Sequence, residues 1–217
     1  MHKSIKNLED INREISLKVK ENISPTIIAV SKTFKIQDIL PLIKHGHTHY
    51  GENKVQEAIE KWSDIKTEYP NIKLHLIGGL QTNKVKLAIK IFDYIHSVDS
   101  EKLVKKISEE QSRQNKKIKI FIQVNLGDET QKSGISKLDL GDFYKYCKNL
   151  DLDILGLMCI PPINKDPKIF FQELNLLNQK LNLKELSMGM SSDYISATEC
   201  YSTFLRIGSK IFGKRIN

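Results

Sequence analysis

Lys32 stands near the end of the stretch TIIAVSKT, just past the apolar run Ile27, Ile28, Ala29 and Val30. An ammonium in that position is costly unless it is paired or put to use. Three uses are open to it: an ion pair, a phosphate contact, or a Schiff base with an aldehyde. Two later segments favour anions. In MGMSSD, Gly189 and the hydroxyls of Ser191 and Ser192 open a helix expected over 191–200. Either serine can cap that helix, and its first-turn amides can bind a dianionic phosphate. In RIGSKIFG, Gly208 permits close backbone approach, and Ser209 adds a hydroxyl and an amide. Arg206 lies inside the apolar run FLRI, so its guanidinium must be paired or face a polar cavity.

One ligand would use all of these groups. Pyridoxal phosphate would offer an aldehyde to Lys32, a phosphate to the glycine–serine turns and a ring nitrogen to Arg206. An arginine beside that nitrogen disfavours its protonation and weakens the cofactor as an electron sink. Neither segment has the GxxxxGK[ST] spacing of a nucleoside triphosphate loop.

The elements that must position these residues alternate along the whole chain. Strand-like runs fall at 27–31, 46–50, 74–77, 94–98, 119–125, 154–158, 184–187 and 204–207. A first helix is expected over 4–20, and further helices over 36–44, 53–67, 82–90, 100–113, 137–149, 166–181 and 191–200, from apolar residues at three- and four-residue spacing. Strands separated by such helices argue for a parallel sheet. Eight of each is the count of a closed (β/α)8 TIM barrel, with a doubly wound open sheet as the alternative. At 217 residues the chain is shorter than the ~250 typical of that fold, so its loops must be lean. No Gly-, Pro- or Ser-rich linker divides it, and PPINKDP at 161–167 reads as a loop, so residues 1–217 are expected to form one domain. In a barrel, Lys32, the run 51–53 (Gly51, Glu52 and Asn53), the run 78–84, Asn125, Met158, the run 187–192 and the run 206–209 all collect at the C-terminal rim, where barrel active sites sit. The turns after strands 7 and 8 then lie side by side as a phosphate cradle.

Composition narrows the partners. The net charge of +8 could signal nucleic acid, but the lysines are spread through amphipathic segments with Glu and Asp interleaved. Aromatic residues, 7% of the chain, do not form a stacking platform among them, so no specific nucleic-acid partner is expected. No apolar run approaches the ~20 residues of a membrane span, and the N-terminus MHKSIKNLEDINREI lacks the apolar core of a secretory signal. A cytoplasmic protein is expected, with Cys147, Cys159 and Cys200 as free thiols. His45, His47 and His49 alternate, but the sequence offers no clear further ligands, so no metal is assigned.

The order of the segments is similar to that of the YggS/PROSC family of pyridoxal phosphate homeostasis proteins. The matching runs are AVSKT (29–33), HYGENKVQEA (49–58), HLIGGLQTNK (75–84), VNLGDETQKSG (124–134), LGLMCIPP (155–162), LSMGMSSDYISA (186–197) and LRIGSKIFGKR (205–215). The resemblance implies a barrel like the N-terminal domain of alanine racemase, monomeric or weakly dimeric. It implies that Lys32 holds pyridoxal phosphate as an internal aldimine and that Ser191, Arg206, Gly208 and Ser209 build the pocket, with Asn53, Met188 and Gly189 as further wall residues. It also implies a role in holding or delivering the cofactor, with recipient enzymes as partners and no established catalytic turnover, so no catalytic residue is assigned. Gly79 departs from the family pattern, in which proline is common at that position, and should loosen the exit of the third strand.

The competing reading is a pyridoxal phosphate-dependent amino-acid racemase. It needs a second base opposite the lysine. In alanine racemase that base is a tyrosine from a C-terminal domain, and no counterpart of that domain is expected here. Tyr50, Tyr194 and Tyr201 are the available substitutes, and no spacing singles one out.

Overall fold

The structure is a computed structural model that describes residues 1–20, 23–127, 129 and 133–214. Residues 128 and 130–132 of the run 124–134, and residue 215 of the run 205–215, lie outside the described residues.

Helix α1 (Lys3–Ser16) buries Leu8, Ile11 and Ile15 along one face. It stops at Ser16, short of the expected 4–20: the Lys18 and Val19 N–H groups both turn back onto the Ile15 carbonyl, and Val19 still packs against the core. Eight strand–helix units follow. They are β1 (Thr26–Val30) with α2 (Ile36–Lys44), β2 (His49–Glu52) with α3 (Val55–Glu68), and β3 (Lys73–Leu76) with α4 (Val85–Ile91). Next come β4 (Tyr94–Val98) with α5 (Glu101–Gln114), β5 (Lys119–Gln123) with α6 (Leu140–Asn149), and β6 (Asp153–Met158) with α7 (Pro167–Lys180). The last two are β7 (Glu185–Met190) with α8 (Tyr194–Glu199), and β8 (Phe204–Ile207) with α9 (Ser209–Phe212).

All eight strands pair in parallel in chain order, and β8 pairs with β1 to close the barrel. Closure rules out the doubly wound sheet. The expected second strand is displaced from 46–50 to His49–Glu52, because Gly46 takes a φ of +93° in a turn closed by His47 N–H on the Leu42 carbonyl. The seventh strand runs on past 187 to Met190, through a register shift that Gly189 permits with a φ of +91°. Helix α9 was not expected, and it is only 4 residues long. Helix α1 packs beside it, with Asn7 Nδ2 donating to the Ile211 carbonyl at 2.8 Å, and so fills the outer ring after β8.

The core has two layers. The large one lies between the strands and the helices and includes Trp62, Phe171, Leu42 and Met188. A smaller one, inside the barrel, consists of Ile28, Tyr94, Phe121, Met158 and Phe204. Barrel interiors usually fill with branched aliphatics. Here aromatic rings predominate, and His75 and His96 lie fully buried among them.

Strand β6 approaches β7 so closely that a Cβ on Gly156 would lie 1.6 Å from the Glu185 carbonyl oxygen. Gly156→Ala should therefore lower stability by ~3 kcal/mol or more. Gly79→Ala should change it by less than ~0.5 kcal/mol, because Gly79 is exposed and an added Cβ meets nothing within 4 Å. Urea denaturation of the two variants reads the contrast.

Candidate functional site

The C-terminal ends of the strands surround a cavity of about 670 Å³. Its wall carries Lys32 after β1, Asn53 after β2, Gly79 after β3, Asn125 after β5, Ser191 after β7 and Ser209 after β8. Arg206 and Gly208 line it too. Of the residues singled out in the sequence, Lys32, Asn53, Ser191, Arg206, Gly208 and Ser209 are thus brought together. Met188 and Gly189 are not among the wall residues. The Met188 side chain points into the outer core, and a Cβ on Gly189 would meet Ala197 Cβ at 2.5 Å, so this glycine lets α8 pack against β7. Met158 sits inside the barrel and not on the rim.

Arg206 is 4% exposed, a cation inside a barrel. Its Nη1 donates to Ser187 Oγ at 2.7 Å and its Nη2 to the Cys159 carbonyl at 2.9 Å. No carboxylate forms a salt bridge with it among the described residues, and burial lowers its pKa from the ordinary arginine value. The Cys159 thiol is buried, which pushes its pKa up to about 12 and keeps it neutral.

Ser191 does not cap α8. The N-cap there is Asp193, whose Oδ1 accepts the Met190 N–H at 2.6 Å. Ser191 Oγ instead accepts the N–H groups of Gly208, at 3.2 Å, and Lys210, at 3.3 Å. The β7 and β8 turns are therefore tied to each other, which places Ser191, Ser192, Gly208 and Ser209 on one wall. Gly208 also sits close to β1, where a Cβ would lie 3.2 Å from the Val30 carbonyl oxygen.

The turn that carries Lys32 is held from behind by groups whose role sequence reasoning missed: Glu52, expected at the rim, lies behind the cavity wall, with Lys61, Trp62 and Glu57 around it. Glu52 is 0% exposed, and its Oε1 accepts from Ser31 Oγ (2.7 Å), Lys61 Nζ (3.0 Å) and Trp62 Nε1 (3.0 Å). Lys61 Nζ also donates to the Ser31 carbonyl and to Glu57 Oε1. Glu57 Oε1 in turn accepts the Thr33 N–H at 2.6 Å. Thr33 is a β-branched residue at φ +69°, a strained conformation that needs such support. The residues on both sides of Lys32 are thus fastened to one ion-pair cluster on α3. Spacing could have shown part of it: Glu57 and Lys61 are an i, i+4 pair on the face that follows β2. Glu52 reads only as a strand-end acid.

None of the three tyrosines considered as a second base reaches the cavity wall. Tyr50 is buried, with its hydroxyl on the His47 carbonyl. Tyr194 bonds Glu14 and Lys210 near α1 and α9, and Tyr201 is exposed. Among the described wall residues there is no tyrosine, histidine, aspartate or glutamate.

A closed barrel with a rim cavity bearing a lysine, an arginine and two glycine–serine turns defines a class. Residues 7–215 match the family described as "Alanine racemase, N-terminal domain". The pyridoxal phosphate homeostasis protein of Pasteurella multocida is 35% identical over 224 residues, covering 96% of each chain. The chain belongs to the pyridoxal phosphate homeostasis protein family. Among solved structures, PipY of Synechococcus elongatus PCC7942 with pyridoxal phosphate bound is 31% identical, with a TM-score of 0.86 over 97% of this chain and 100% of that one. An alanine racemase of Clostridium difficile 630 is 15% identical, with a TM-score of 0.72 over 95% of this chain and 56% of that one, a likeness of fold alone. The curated relatives are named as homeostasis proteins. Among the described residues no helix is long and apolar enough to cross a membrane, and no group of three or more His, Cys, Asp and Glu could hold a metal ion.

The α3 cluster gives a sharp test. Burial already raises the Glu52 pKa above its ordinary 4.5. Lys61→Met leaves this carboxylate buried without its cation, which should cost ~3–5 kcal/mol at neutral pH. The folded variant then holds the Glu52 proton more tightly than the unfolded chain does. Its stability therefore falls as pH rises through that raised pKa, and its deficit should shrink towards pH 4.5. Guanidinium titrations across this range check both the size and the sign.

Proposed function

We propose that this protein binds pyridoxal 5'-phosphate at the barrel rim, holding it reversibly through Lys32, and serves intracellular cofactor homeostasis without catalytic turnover. The observation that carries the reading is one wall that joins an amine, a buried guanidinium and two hydroxyl- and amide-bearing turns. The donor set fits the ligand: anion-binding turns beside a primary amine, in a cavity of ample size. When bound, the cofactor supplies an aldehyde that condenses with a primary amine and releases water, along with a phosphate and an aromatic nitrogen.

Each residue has a separate task. Lys32 offers its Nζ from a turn that the α3 cluster holds in place. Ser191, Ser192, Gly208 and Ser209 face the phosphate with hydroxyl and amide groups. Arg206, which lines the cavity, would offer a permanent donor to the ring nitrogen and so disfavour a proton on that atom. This arrangement suits storage and release, because an unprotonated ring withdraws few electrons from a bound amino acid. Asn53 would add a further polar group to the wall. Met188 and Gly189 act behind the wall, by packing β7 against α8. Residues 1–217 act as one domain in the cytoplasm, as a monomer or weak dimer. The partners are enzymes that take up the cofactor, with neither a specific nucleic acid nor a membrane involved.

A wall with no second base among its described residues supports holding over racemisation, which needs acid–base groups on both faces of the substrate carbon. Incubation of the protein with pyridoxal phosphate should give a visible absorbance band that Lys32→Ala abolishes while circular dichroism stays unchanged. Arg206→Met should weaken binding and alter the spectrum but keep the covalent link. A turnover above ~1 s⁻¹ with any of several L-amino acids would contradict the non-catalytic reading.

A further inference from the structure

A continuous file of side chains crosses the barrel interior from Arg206 to the opposite end. Arg206 Nη1 donates to Ser187 Oγ, and Ser187 Oγ lies 2.7 Å from His96 Nδ1. His96 Nε2 is 2.9 Å from His75 Nδ1, and His75 Nε2 is 2.9 Å from His49 Nδ1. His75 and His96 are wholly buried, whereas His49 is half-buried and lines a groove at the barrel floor with His47, Thr48 and Pro25. Stacking fixes the two buried rings. His75 lies 4.1 Å from Tyr94 at 12°, and His96 lies 4.4 Å from Phe121 at 20°.

Proton counting gives the file a direction. The guanidinium can only donate, so Ser187 Oγ accepts from it. The serine hydroxyl proton then goes to His96 Nδ1, which makes His96 the Nε2–H tautomer. His96 Nε2–H donates to His75 Nδ1, His75 Nε2–H to His49 Nδ1, and His49 Nε2–H faces the floor. The reverse order gives Ser187 Oγ two donors and leaves its own proton without a described partner. Two imidazoles in place of aliphatic barrel residues are expensive to desolvate, and an aligned chain of dipoles repays that cost by stabilising a buried cation.

We propose that Ser187, His96, His75 and His49 are positioning residues forming a one-way hydrogen-bond relay, which steadies Arg206 for the cavity ligand and couples it to protonation at the barrel floor. A proton on His49 Nδ1 has no acceptor while His75 donates towards it. Accommodating it reverses every link and turns His96 Nδ1–H against Ser187, in competition with Arg206. Proton uptake at the floor thus loosens Arg206, and by linkage a ligand held by Arg206 resists that uptake.

The groups that face the relay all bear on this exchange. His49 has Lys73 and Lys119, which oppose its charge, and Asp93, which favours it. His75 has His47, His49, His96 and Lys66, and His96 has Arg206. Burial disfavours the cationic form of all three rings, most in His75 and His96, so His49 is the entry point.

The ligand arm of the test rests on the reading that the cavity holds pyridoxal phosphate, whereas the spectroscopic arm does not. In ¹⁵N-histidine NMR of the ligand-free protein, His49, His75 and His96 should all be Nε2–H tautomers near pH 8, and Ser187→Ala should shift the His96 nitrogens. An Nδ1–H tautomer at His96, or an unmoved His96 in Ser187→Ala, overturns the relay. In the ligand arm, wild-type affinity for pyridoxal phosphate should fall by about fivefold more than that of His49→Phe between pH 8 and pH 5.5. Both proteins share the ligand's own titration, so the difference isolates His49. His96→Asn retains an acceptor for Ser187 and should bind more tightly than His96→Leu at pH 8, but without the extra pH dependence of wild type. His96→Leu should bind severalfold more weakly. Identical pH profiles for wild type and His49→Phe overturn the coupling. If neither protein binds the cofactor at any pH, the function proposed above fails, and the NMR result still decides the relay.

Discussion

The structure turns on burying the Arg206 guanidinium inside a barrel. No described carboxylate neutralises it, so its charge is balanced by oriented neutral groups: the Ser187 hydroxyl, the Cys159 carbonyl and the rings behind them. Such a balance works only where donors and acceptors are fixed before any ligand arrives. This fits a β7 that continues through Gly189 and a Gly208 that, just past β8, lies close against β1. It also explains why the interior layer is built of stacked aromatic and imidazole rings, whose planes cannot turn freely. A carboxylate in the same place would neutralise the cation and reverse the electronics at the cavity, favouring a protonated ring and carbanion chemistry.

The amine of Lys32 is prepared by a different device, on the neighbouring strand β1. Its strand ends in a turn strained at Thr33, and the ion pairs of Glu52, Lys61 and Glu57 hold the residues before and after it. The two devices share a logic. Each places polar groups behind the wall and leaves the cavity face open. The lysine and the arginine, carried by neighbouring strands, thus reach one cavity from separate supports. Neither side contributes a second base from the described wall, which fits a site meant to hold a ligand and let it go.

Much of this was legible from the chain. The alternation of apolar runs with amphipathic stretches yields the closed barrel. The polar residues after those runs, Lys32, Asn53, Ser191, Gly208 and Ser209, do meet at one rim. Boundaries failed where backbone conformation overrode pattern, at Gly46 before β2 and at Gly189 within β7. Met188 misled because neighbours in a strand face opposite sides: Ser187 turns into the barrel towards Arg206, so Met188 turns into the outer core. Ser191 misled for another reason: its hydroxyl bonds the β8 turn across the sheet, a contact no local window shows. The histidine file was the least visible. Its members come from β2, β3, β4 and, through Ser187, β7, and only barrel closure brings them into line.

The central claim is that Lys32 is the group that holds the cavity ligand. The most direct measurement is peptide mapping by mass spectrometry after borohydride reduction of the protein incubated with equimolar pyridoxal phosphate. The account predicts one reduced pyridoxyl adduct, on the peptide that carries Lys32, at near-complete occupancy. Label spread over surface lysines, with Lys32 unmodified, would contradict it.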